Sequence, residues 1–261
     1  MSEDFPVHVD QRGSVAVLTL DRVDRANALS RAALLALGKL AREAATNPSV
    51  RAIVVTGAGD RAFCAGADLK ERLGMSENEV RLQLALYGSE LAWLDRSPKP
   101  VVAAINGAAL GGGLELALCC DLRVAAAHAQ LGLPETSLGI IPAAGGTQRL
   151  PRMVGEARAK EMILLGRRLT SAEALSWGLI HRVATGKGVV EDALEWIRPI
   201  TEGAPIAQAA ALSAIDRALD VTLEVGLELE RVAYERTLAS EDRREALAAF
   251  AEKRAPRFQG R

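Results

Sequence analysis

The sequence predicts an α/β protein with a parallel sheet and a helical C-terminal region. Up to about residue 125, short apolar β-branched runs alternate with segments of helical periodicity, a pattern typical of strands that pair in parallel. From Gly145 onward, helical segments follow one another and are separated by glycine and proline. Because no low-complexity linker separates the two parts, one domain with a helical appendage is expected rather than two independent domains.

Each predicted element has a local signal. Apolar residues on both sides of a turn at Arg12-Gly13 predict a hairpin, and β-branched runs predict buried strands. The strands are expected at 7–9, 15–20, 52–56, 101–105 and 122–125. Ser30 and Ser76 are suited to cap helices, the first running to about Ala45 and the second ending before Pro98. The C-terminal helices are expected at 157–165, 171–177, 190–197, 206–219, 223–238 and 241–252.

Composition and charge exclude several classes of protein. With 49% hydrophobic and 25% charged residues, the chain does not have the composition of a disordered protein. Its 32 basic and 33 acidic residues leave a formal net charge of −1, so no basic surplus points to nucleic acid. No apolar run reaches the ~18 residues of a membrane span, and residues 1–10 lack the apolar core of a signal peptide. Cys64, Cys119 and Cys120 suit neither a disulfide framework nor a CxxC metal site, so reduced thiols and a cytoplasmic location are expected.

Two glycine-rich loops follow predicted strands. Gly57-x-Gly59 invites a dinucleotide-binding interpretation, but the loop continues through Gly66 and a full helix begins only near Ser76, which disfavours it. Three successive glycines, 111–113, lie between a strand and a helix, where backbone N–H groups can face a ligand without a Cβ in the way. A tight turn with close strand–helix packing would use the same residues.

Two glutamates stand in apolar surroundings beside glycine-rich segments. Glu135 is the only Asp, Glu, Lys or Arg between Arg123 and Arg149, and Glu115 is flanked by leucines at a predicted helix start. Such a carboxylate is either desolvated, with a raised pKa, or paired with a distant cation. A single glutamate of this kind is as often structural, but two of them match acid–base chemistry on a neutral unsaturated substrate.

Four parts of the chain carry a family resemblance: residues 63–71, 109–117, 134–135 with 145–150, and 249–254. Together they resemble the crotonase (enoyl-CoA hydratase/isomerase) superfamily, over nearly the whole chain. The resemblance implies a crotonase-like spiral of repeated ββα units over residues 1–195, and a C-terminal helical region, 196–261, that packs on this core and on neighbouring subunits. The most similar branch contains enoyl-CoA hydratases and 3-methylglutaconyl-CoA hydratase, and a homologue there also binds AU-rich RNA.

The resemblance implies reversible syn hydration of a 2-enoyl-CoA thioester, as in fatty acid β-oxidation. The backbone N–H groups of Ala67 and Gly112 are expected to hold the thioester oxygen, on which negative charge develops. Glu115 is expected to orient and deprotonate the water that adds at C3, and Glu135 to protonate C2. Isomerases of the family generally keep one carboxylate, in the Glu135 region, so the retention of both favours hydration over isomerisation.

The resemblance also implies where coenzyme A binds, as part of the substrate rather than as a separate cofactor. The expected contacts are Arg25, Ala26, Ala65, Gly66, Asp68, Leu69, Lys70, Gly111, Tyr234, Phe250 and Lys253. Many relatives carry Lys where this chain has Arg25, so that contact departs from the family pattern. Because members of the family are typically trimers or dimers of trimers, a homotrimer or hexamer is expected.

Other functions are weighed against hydration. RNA binding lacks a lysine cluster, because residues 30–51 hold four basic residues and Glu43. A metal site is not expected, since His8, His128 and His181 are far apart in sequence. A catalytically idle scaffold would usually have lost one of the glutamates. The acyl group stays open between straight-chain crotonyl-CoA and branched methylglutaconyl-CoA, whose extra carboxylate needs an Arg or Lys that the sequence does not place.

Overall fold

Two sheets with helices packed on them form the fold, in a computed structural model that describes residues 5–261. Residues 1–4, part of the segment in which no signal peptide is predicted, lie outside the described residues. The strands are β1 (Val7–Arg12), β2 (Val15–Leu20), β3 (Ala52–Gly57), β4 (Ala62–Cys64), β5 (Val101–Ile105), β6 (Ala108–Leu110), β7 (Leu122–Ala125), β8 (Gln130–Gly132), β9 (Arg168–Thr170) and β10 (Arg182–Val183). The helices are α1 (Arg31–Thr46), α2 (Leu69–Arg72), α3 (Glu77–Asp95), α4 (Gly112–Leu118), α5 (Gly146–Val154), α6 (Glu156–Leu164), α7 (Ser171–Ser176), α8 (Val189–Trp196), α9 (Arg198–Thr201), α10 (Pro205–Ile215), α11 (Leu223–Leu238) and α12 (Glu241–Glu252).

The larger sheet has six strands in the order β1-β2-β3-β5-β7-β10, and every neighbouring pair is parallel except the β1–β2 hairpin. Strands β3 and β5 are buried on both faces, which explains their unbroken apolar sequences. The strands predicted here are confirmed. One detail differs: β1 continues to Arg12, so the turn falls on Gly13, which has φ +61°, and on Ser14.

The smaller sheet, in the order β4-β6-β8-β9, was not predicted from local signals, because each strand has only three residues and shows no periodicity. Three times along the chain, a strand of the larger sheet is followed by a strand of the smaller sheet and then by a helix. The sequences are β3-β4-α2, β5-β6-α4 and β7-β8 followed by α5. This repeat confirms the expected spiral of ββα units.

The helix caps follow the predictions. The Ser30 hydroxyl accepts a hydrogen bond from the N–H of Ala33 at 3.2 Å, and Ser76 forms a capping box with Glu79. Helices α11 and α12 have the predicted bounds, so the helical C-terminal region is confirmed. The helix predicted at 206–219 is too long, because α10 ends at Ile215 and the chain continues in tighter i to i+3 turns. Strands β9 and β10 also lie in the part where only helices were predicted. No helix among residues 5–261 is long and apolar enough to cross a bilayer.

A buried asparagine fastens the end of β2 to the loop before β4. Asn27 has φ +56° and is 1% exposed. Its Nδ2 donates to the carbonyl oxygens of Ala58 at 3.0 Å and Ala62 at 2.7 Å, and its Oδ1 accepts from the N–H of Arg22 at 3.0 Å. All the polar atoms of this side chain are therefore used to join segments that are distant in sequence.

The residues on both sides of Asn27 hold the loop that follows β4. The carbonyl of Ala26 accepts from the N–H of Ala65 at 3.0 Å, and the N–H of Leu29 donates to the carbonyl of Gly66 at 2.7 Å. The loop 65–67 is thus fixed by its backbone, and the position of Ala67 depends on the segment that Asn27 anchors.

We expect Asn27→Ala to lower the free energy of unfolding by about 2–4 kcal/mol, because buried carbonyls lose their donors and alanine is disfavoured at positive φ. Asn47→Ala is the matched control, since Asn47 is exposed and its side chain accepts hydrogen bonds only from Ser49 among the described residues, and a change below about 1 kcal/mol is expected. Denaturant unfolding followed by fluorescence measures both variants. Equal midpoints for the two variants would contradict this role of Asn27.

Candidate active site

A cleft of about 210 Å³ lies where the smaller sheet meets α2, α3 and α4. Its walls come from residues 65–72, from α3, from the turn between β6 and α4, and from residues 134–144, with Arg168 of β9 at one side. The cleft brings together eight of the predicted site residues: Ala65, Gly66, Ala67, Leu69, Gly111, Gly112, Glu115 and Glu135. Segments far apart in sequence therefore converge on one concave surface.

Glu115 lies in the first turn of α4 and is 3% exposed. Its Oε1 accepts two hydrogen bonds of 2.7 Å, from the backbone N–H groups of Ala144 and Gly146. Burial raises the pKa of this carboxyl, while the two N–H groups and the more distant Arg149 oppose the shift. Glu115 is thus a desolvated carboxyl whose pKa is raised, and two fixed donors limit the rise by stabilising its ionised form.

Glu135 begins a short 3-10 helix, Glu135–Leu138, and is 8% exposed. Its Oε2 is buried and has no hydrogen-bond partner among the described residues. The pKa of Glu135 is raised to about 7, mainly by burial and in addition by the negative charge of Glu115, against the opposing effect of a hydrogen bond from its own N–H. A buried polar atom without a partner is rare in a folded protein. The residue that carries it lines the cleft.

The surroundings of the two glutamates show that both are desolvated carboxyls with a raised pKa rather than members of an ion pair. Neither is paired with a cation: the pKa of Glu135 is affected by no Lys or Arg, and Arg149 acts on Glu115 only from a distance. The two carboxyls are close enough for one charge to influence the other. The charge state of Glu115 therefore contributes to the raised pKa of Glu135.

Two residues that line the cleft, Ala67 and Gly112, have backbone N–H groups without an acceptor among the described residues. Gly112 is the first residue of α4, so its N–H has no intrahelical acceptor. The N–H of Ala67 is also free of any acceptor among the described residues, because the bridge to Leu29 uses the carbonyl of Gly66 and the N–H of Asp68. A Cβ built on Gly112 would lie 3.6 Å from the nitrogen of Ala67, so the two donors are neighbours. Such a pair can stabilise an oxygen that gains negative charge.

Glycine is required at two points where backbone touches a glutamate. Gly111 has φ +53°, and a Cβ there would lie 3.0 Å from Oε1 of Glu135. A Cβ on Gly146 would lie 2.9 Å from Oε1 of Glu115. The glycine-rich segments that the sequence shows beside the glutamates are therefore the surfaces on which both carboxyls rest.

An ion pair behind the cleft fixes the loop that binds Glu115. Arg149 of α5 donates from Nε and Nη2 to the two oxygens of Asp95, each at 2.8 Å, and from Nη1 to the carbonyl of Ala144 at 3.2 Å. Its guanidinium lies directly over Gly145, where a Cβ would be 1.8 Å from Nη1. Because the N–H of Ala144 binds Glu115, Asp95 acts on Glu115 through Arg149 and the loop. In the sequence Arg149 lies in the 145–150 motif, but no local pattern predicts this role.

Seven predicted contacts do not line the cleft of this chain. Asp68 caps α2 and forms an ion pair with Arg22 at 2.8 Å, so its carboxylate is already used. Arg25 pairs with exposed Asp24, and Ala26 supports the loop 65–67 from behind. Lys70 is exposed on α2. The remaining three lie at the exposed C-terminal helices: Tyr234 on α11, Phe250 on α12 and Lys253 just after it.

Several residues that line the cleft are not predicted from the sequence. Tyr87 is buried on α3 and contacts the position of Gly112, and Arg72 and Arg168 bring positive charge to the walls. Ile140 and Ile141 line the cleft and stay exposed outside any helix or strand. Two adjacent isoleucines directly after Gly139, outside any predicted helix or strand, are the sequence signal that could have predicted this wall of the cleft.

Comparisons with known proteins agree with this geometry. The sequence profile of the enoyl-CoA hydratase/isomerase family matches residues 10–261. The Bacillus subtilis protein YngF is 49% identical over 246 residues, which cover 94% of this chain and 95% of that protein. The mitochondrial methylglutaconyl-CoA hydratase of mouse is 42% identical over 255 residues, 96% of this chain and 81% of that protein. The crystal structure of an enoyl-CoA hydratase from Bacillus anthracis has 45% sequence identity and a TM-score of 0.95, covering 98% of this chain and all of the other.

Proposed function

Because the chain belongs to the enoyl-CoA hydratase/isomerase family, we propose that it hydrates 2-enoyl-CoA thioesters to 3-hydroxyacyl-CoA thioesters. The observation that carries this proposal is the meeting of two buried glutamates and two free N–H groups in one cleft. The reaction adds water syn and reversibly across the C2=C3 bond. It needs a polarised carbonyl, a base for water and an acid for C2.

The N–H groups of Ala67 and Gly112 receive the thioester oxygen. Addition of water at C3 pushes electrons through C2 onto this oxygen, so the transition state resembles an enolate. Preorganised donors are stronger there than in the ground state, and the loss of one such donor in other enzymes costs about 100- to 1,000-fold in turnover. The positive end of α4 adds to the effect at Gly112.

The surroundings of the glutamates support a division of roles. Glu115 holds its ionised form through two N–H donors, so it orients the water and takes its proton. Because the pKa of Glu135 is raised to about 7, its protonated form is populated at neutral pH, and this form gives its proton to C2. The hydroxyl joins C3, the proton of Glu135 joins C2, and the proton from water stays on Glu115. The pair therefore holds one proton before and after the step.

Two carboxylates favour hydration over isomerisation. Moving a double bond requires a single group that takes a proton from one carbon and returns it to another, whereas adding water requires a second group for the water. An isomerisation in which Glu135 alone moves the proton would not need Glu115. Its fixed hydrogen bonds and its position beside Glu135 support the two-group reaction.

The reaction uses no metal and no cofactor besides the coenzyme A of the substrate, because its acid, base and oxyanion donors are protein groups. We place the enzyme in the cytoplasm and its reaction in fatty acid β-oxidation or a related acyl-CoA degradation. The three cysteines support a reducing compartment, since all are free and buried. Burial raises the pKa of Cys64 and of Cys119 to about 12, which keeps both thiols protonated and unreactive.

We expect Glu115→Gln and Glu135→Gln each to lower kcat for crotonyl-CoA hydration by about 1,000-fold or more, because each removes one proton-transfer group. Binding of butyryl-CoA, measured by calorimetry, should change by less than about threefold. Exposed Glu224 gives the matched control, and Glu224→Gln should behave as the wild type. A 3-enoyl-CoA assay separates the two activities: isomerisation that exceeds hydration in the wild type and survives Glu115→Gln would identify an isomerase.

We expect kcat/KM for hydration to be bell-shaped in pH and to fall above about pH 7, where the pair loses its single proton. Dehydration of 3-hydroxybutyryl-CoA should give the same profile, because the overall reaction takes up no net proton.

Arg149→Gln should lower kcat by about 10- to 100-fold, because the loop that binds Glu115 is displaced. It should also move the acid limb of the pH profile to higher pH, because a cation that lowers the pKa of Glu115 is lost. The neighbouring variant Arg152→Gln should leave both unchanged. An acid limb at the wild-type pH in Arg149→Gln would contradict the positioning role.

We also propose that the chain assembles as a homotrimer or hexamer through its C-terminal helices, and that Tyr234, Phe250 and Lys253 reach the coenzyme A of a neighbouring subunit. The 59% exposure of Tyr234 and the 86% exposure of Phe250 support an apolar surface that a second copy covers. Light scattering during size-exclusion chromatography should give three or six times the 27.7 kDa of one chain. A monomer at micromolar concentration would disprove it.

A further inference from the structure

A buried tyrosine lines the cleft next to the two free N–H groups, although it is neither a proton-transfer group nor a donor of that pair. Tyr87 lies on α3 and is 3% exposed. The two donors belong to segments far apart in sequence, since Ala67 follows β4 and Gly112 begins α4. Stabilisation of an oxyanion requires both N–H groups at a fixed separation. Tyr87 contacts the start of α4 and is hydrogen-bonded to the segment that holds Ala67.

The ring of Tyr87 lies against the first residue of α4. A Cβ built on Gly112 would be 3.3 Å from Cε1 of Tyr87, so the ring occupies the space that a side chain would need there. The same Cβ would be 3.6 Å from the nitrogen of Ala67, which places the ring edge and the second donor on one side of Gly112. At the next residue, a Cβ on Gly113 would be 2.0 Å from the carbonyl oxygen of Cys64. The first turn of α4 is therefore held between the backbone of β4 and an aromatic ring of α3.

The hydroxyl of Tyr87 reaches the segment that holds the other donor. It donates to the carbonyl of Leu29 at 3.4 Å, and the same carbonyl accepts from the N–H of Asp68 at 3.3 Å. The N–H of Leu29 donates to the carbonyl of Gly66 at 2.7 Å, so Leu29 binds the residues on both sides of Ala67. Because O–H···O hydrogen bonds are usually about 2.7–2.8 Å long, the bond from Tyr87 is weak, and the ring contact has the larger effect.

Tyr87 brings no charge to the site. Burial is the main cause that raises the pKa of its phenol; Cys64 and Glu115 add to the rise, and Arg72 opposes it in part. The phenol is therefore neutral near pH 7, and its O–H is directed to a backbone carbonyl. It neither competes with the two glutamates for protons nor repels an oxyanion.

We infer that Tyr87 is a positioning residue for hydration: its ring holds the start of α4 against the loop 65–67 and so sets the separation of the N–H groups of Ala67 and Gly112. The inference rests on the proposed hydratase function and adds to it a residue that acts through the two donors. Such donors stabilise an oxyanion from about 2.7–3.1 Å, and a displacement of about 1 Å can cost about 100-fold in rate. A contact that fixes one donor against the other raises kcat without tighter binding of the ground state.

Two other roles for this ring make different predictions. As a wall for the acyl chain, it would contribute to the binding of every acyl-CoA, saturated or unsaturated. As a core residue alone, it would contribute to stability and leave kcat unchanged in a folded variant. The contact at Gly112 favours positioning because it lies at the donor itself, whereas Leu69, Leu84 and Leu138 supply an apolar wall for an acyl chain.

The first test separates the ring from the hydroxyl by kinetics. Tyr87→Phe keeps the ring and should retain kcat for crotonyl-CoA hydration within about threefold, whereas Tyr87→Leu should lower kcat by about 10- to 100-fold. KM should change by less than about threefold in both variants. Tyr87→Met, which also lacks a ring, repeats the measurement if Tyr87→Leu does not fold. All proteins are assayed well below their unfolding midpoints.

Leu91→Ala is the matched control for a cavity in the same helix. Leu91 lies one turn further along α3, is 2% exposed and does not line the cleft. Because a buried side chain is shortened, the midpoint of thermal unfolding should fall, but kcat should stay within about twofold of the wild type.

A second readout requires no turnover. Acetoacetyl-CoA releases a proton from C2 to the solvent to give an enolate, whose oxygen carries the charge that the two N–H groups receive, and the ultraviolet absorption of the enolate reports its amount. The wild type and Tyr87→Phe should hold more of the enolate than free acetoacetyl-CoA contains at the same pH. Tyr87→Leu should lower the ratio of bound enolate to bound keto form by about tenfold or more. Butyryl-CoA, measured by calorimetry, should bind all four proteins within about threefold of one another.

Several results would overturn the inference. Wild-type kcat and enolate ratio in Tyr87→Leu would exclude a positioning role, and a loss of butyryl-CoA affinity as large as the loss of kcat would make the ring a wall for the acyl chain. Equal losses in Tyr87→Phe and Tyr87→Leu would assign the effect to the hydroxyl, and an equal loss in Leu91→Ala would assign it to general destabilisation. A wild type that hydrates no enoyl-CoA, yet favours the enolate through the ring of Tyr87, would refute the hydratase proposal but not the positioning role.

Discussion

The close contact between the first turn of α4 and strand β4 is the constraint on which the site depends. A Cβ on Gly113 would lie 2.0 Å from the carbonyl oxygen of Cys64, and one on Gly66 would lie 2.8 Å from the carbonyl oxygen of Leu110. Only glycine permits the two backbones to approach so closely. Because β4 leads into Ala67 and α4 begins at Gly112, this contact determines how far apart the two free N–H groups lie.

The two buried carboxyls differ in their hydrogen bonding. Both lose water, which raises the pKa of each, but Glu115 regains two hydrogen bonds from the 144–146 loop while Glu135 keeps a buried oxygen without a partner. Arg149, whose charge acts on Glu115, is bound to Asp95 and forms no ion pair with either glutamate. A fold that placed a free cation beside Glu135 would lower the pKa of that group and remove the acid.

The sequence was sufficient for the larger sheet, the capped helices and the two glutamates, because long apolar runs, serine caps and charges in apolar surroundings are local signals. It was insufficient for the smaller sheet, whose strands have three residues each and form through pairing of segments distant in sequence. The role of Arg149 and the direction of Arg72 had no local signal either. Both depend on how α3 packs, which brings Asp95 and Gln83 beside residues that are far away along the chain.

The near-neutral total charge of the chain conceals a local charge balance that constrains the substrate. The hydration step requires exactly one proton on the Glu115–Glu135 pair, and therefore one negative charge in a cleft with little water. A second negative charge beside the pair would raise the pKa of both glutamates and favour the inactive, doubly protonated pair. The charge of Arg72 acts on Tyr87 and is not among the influences on either glutamate, so it does not lower the raised pKa of Glu135. Catalytic protonation and the charge of the surroundings are thus linked through the same desolvation.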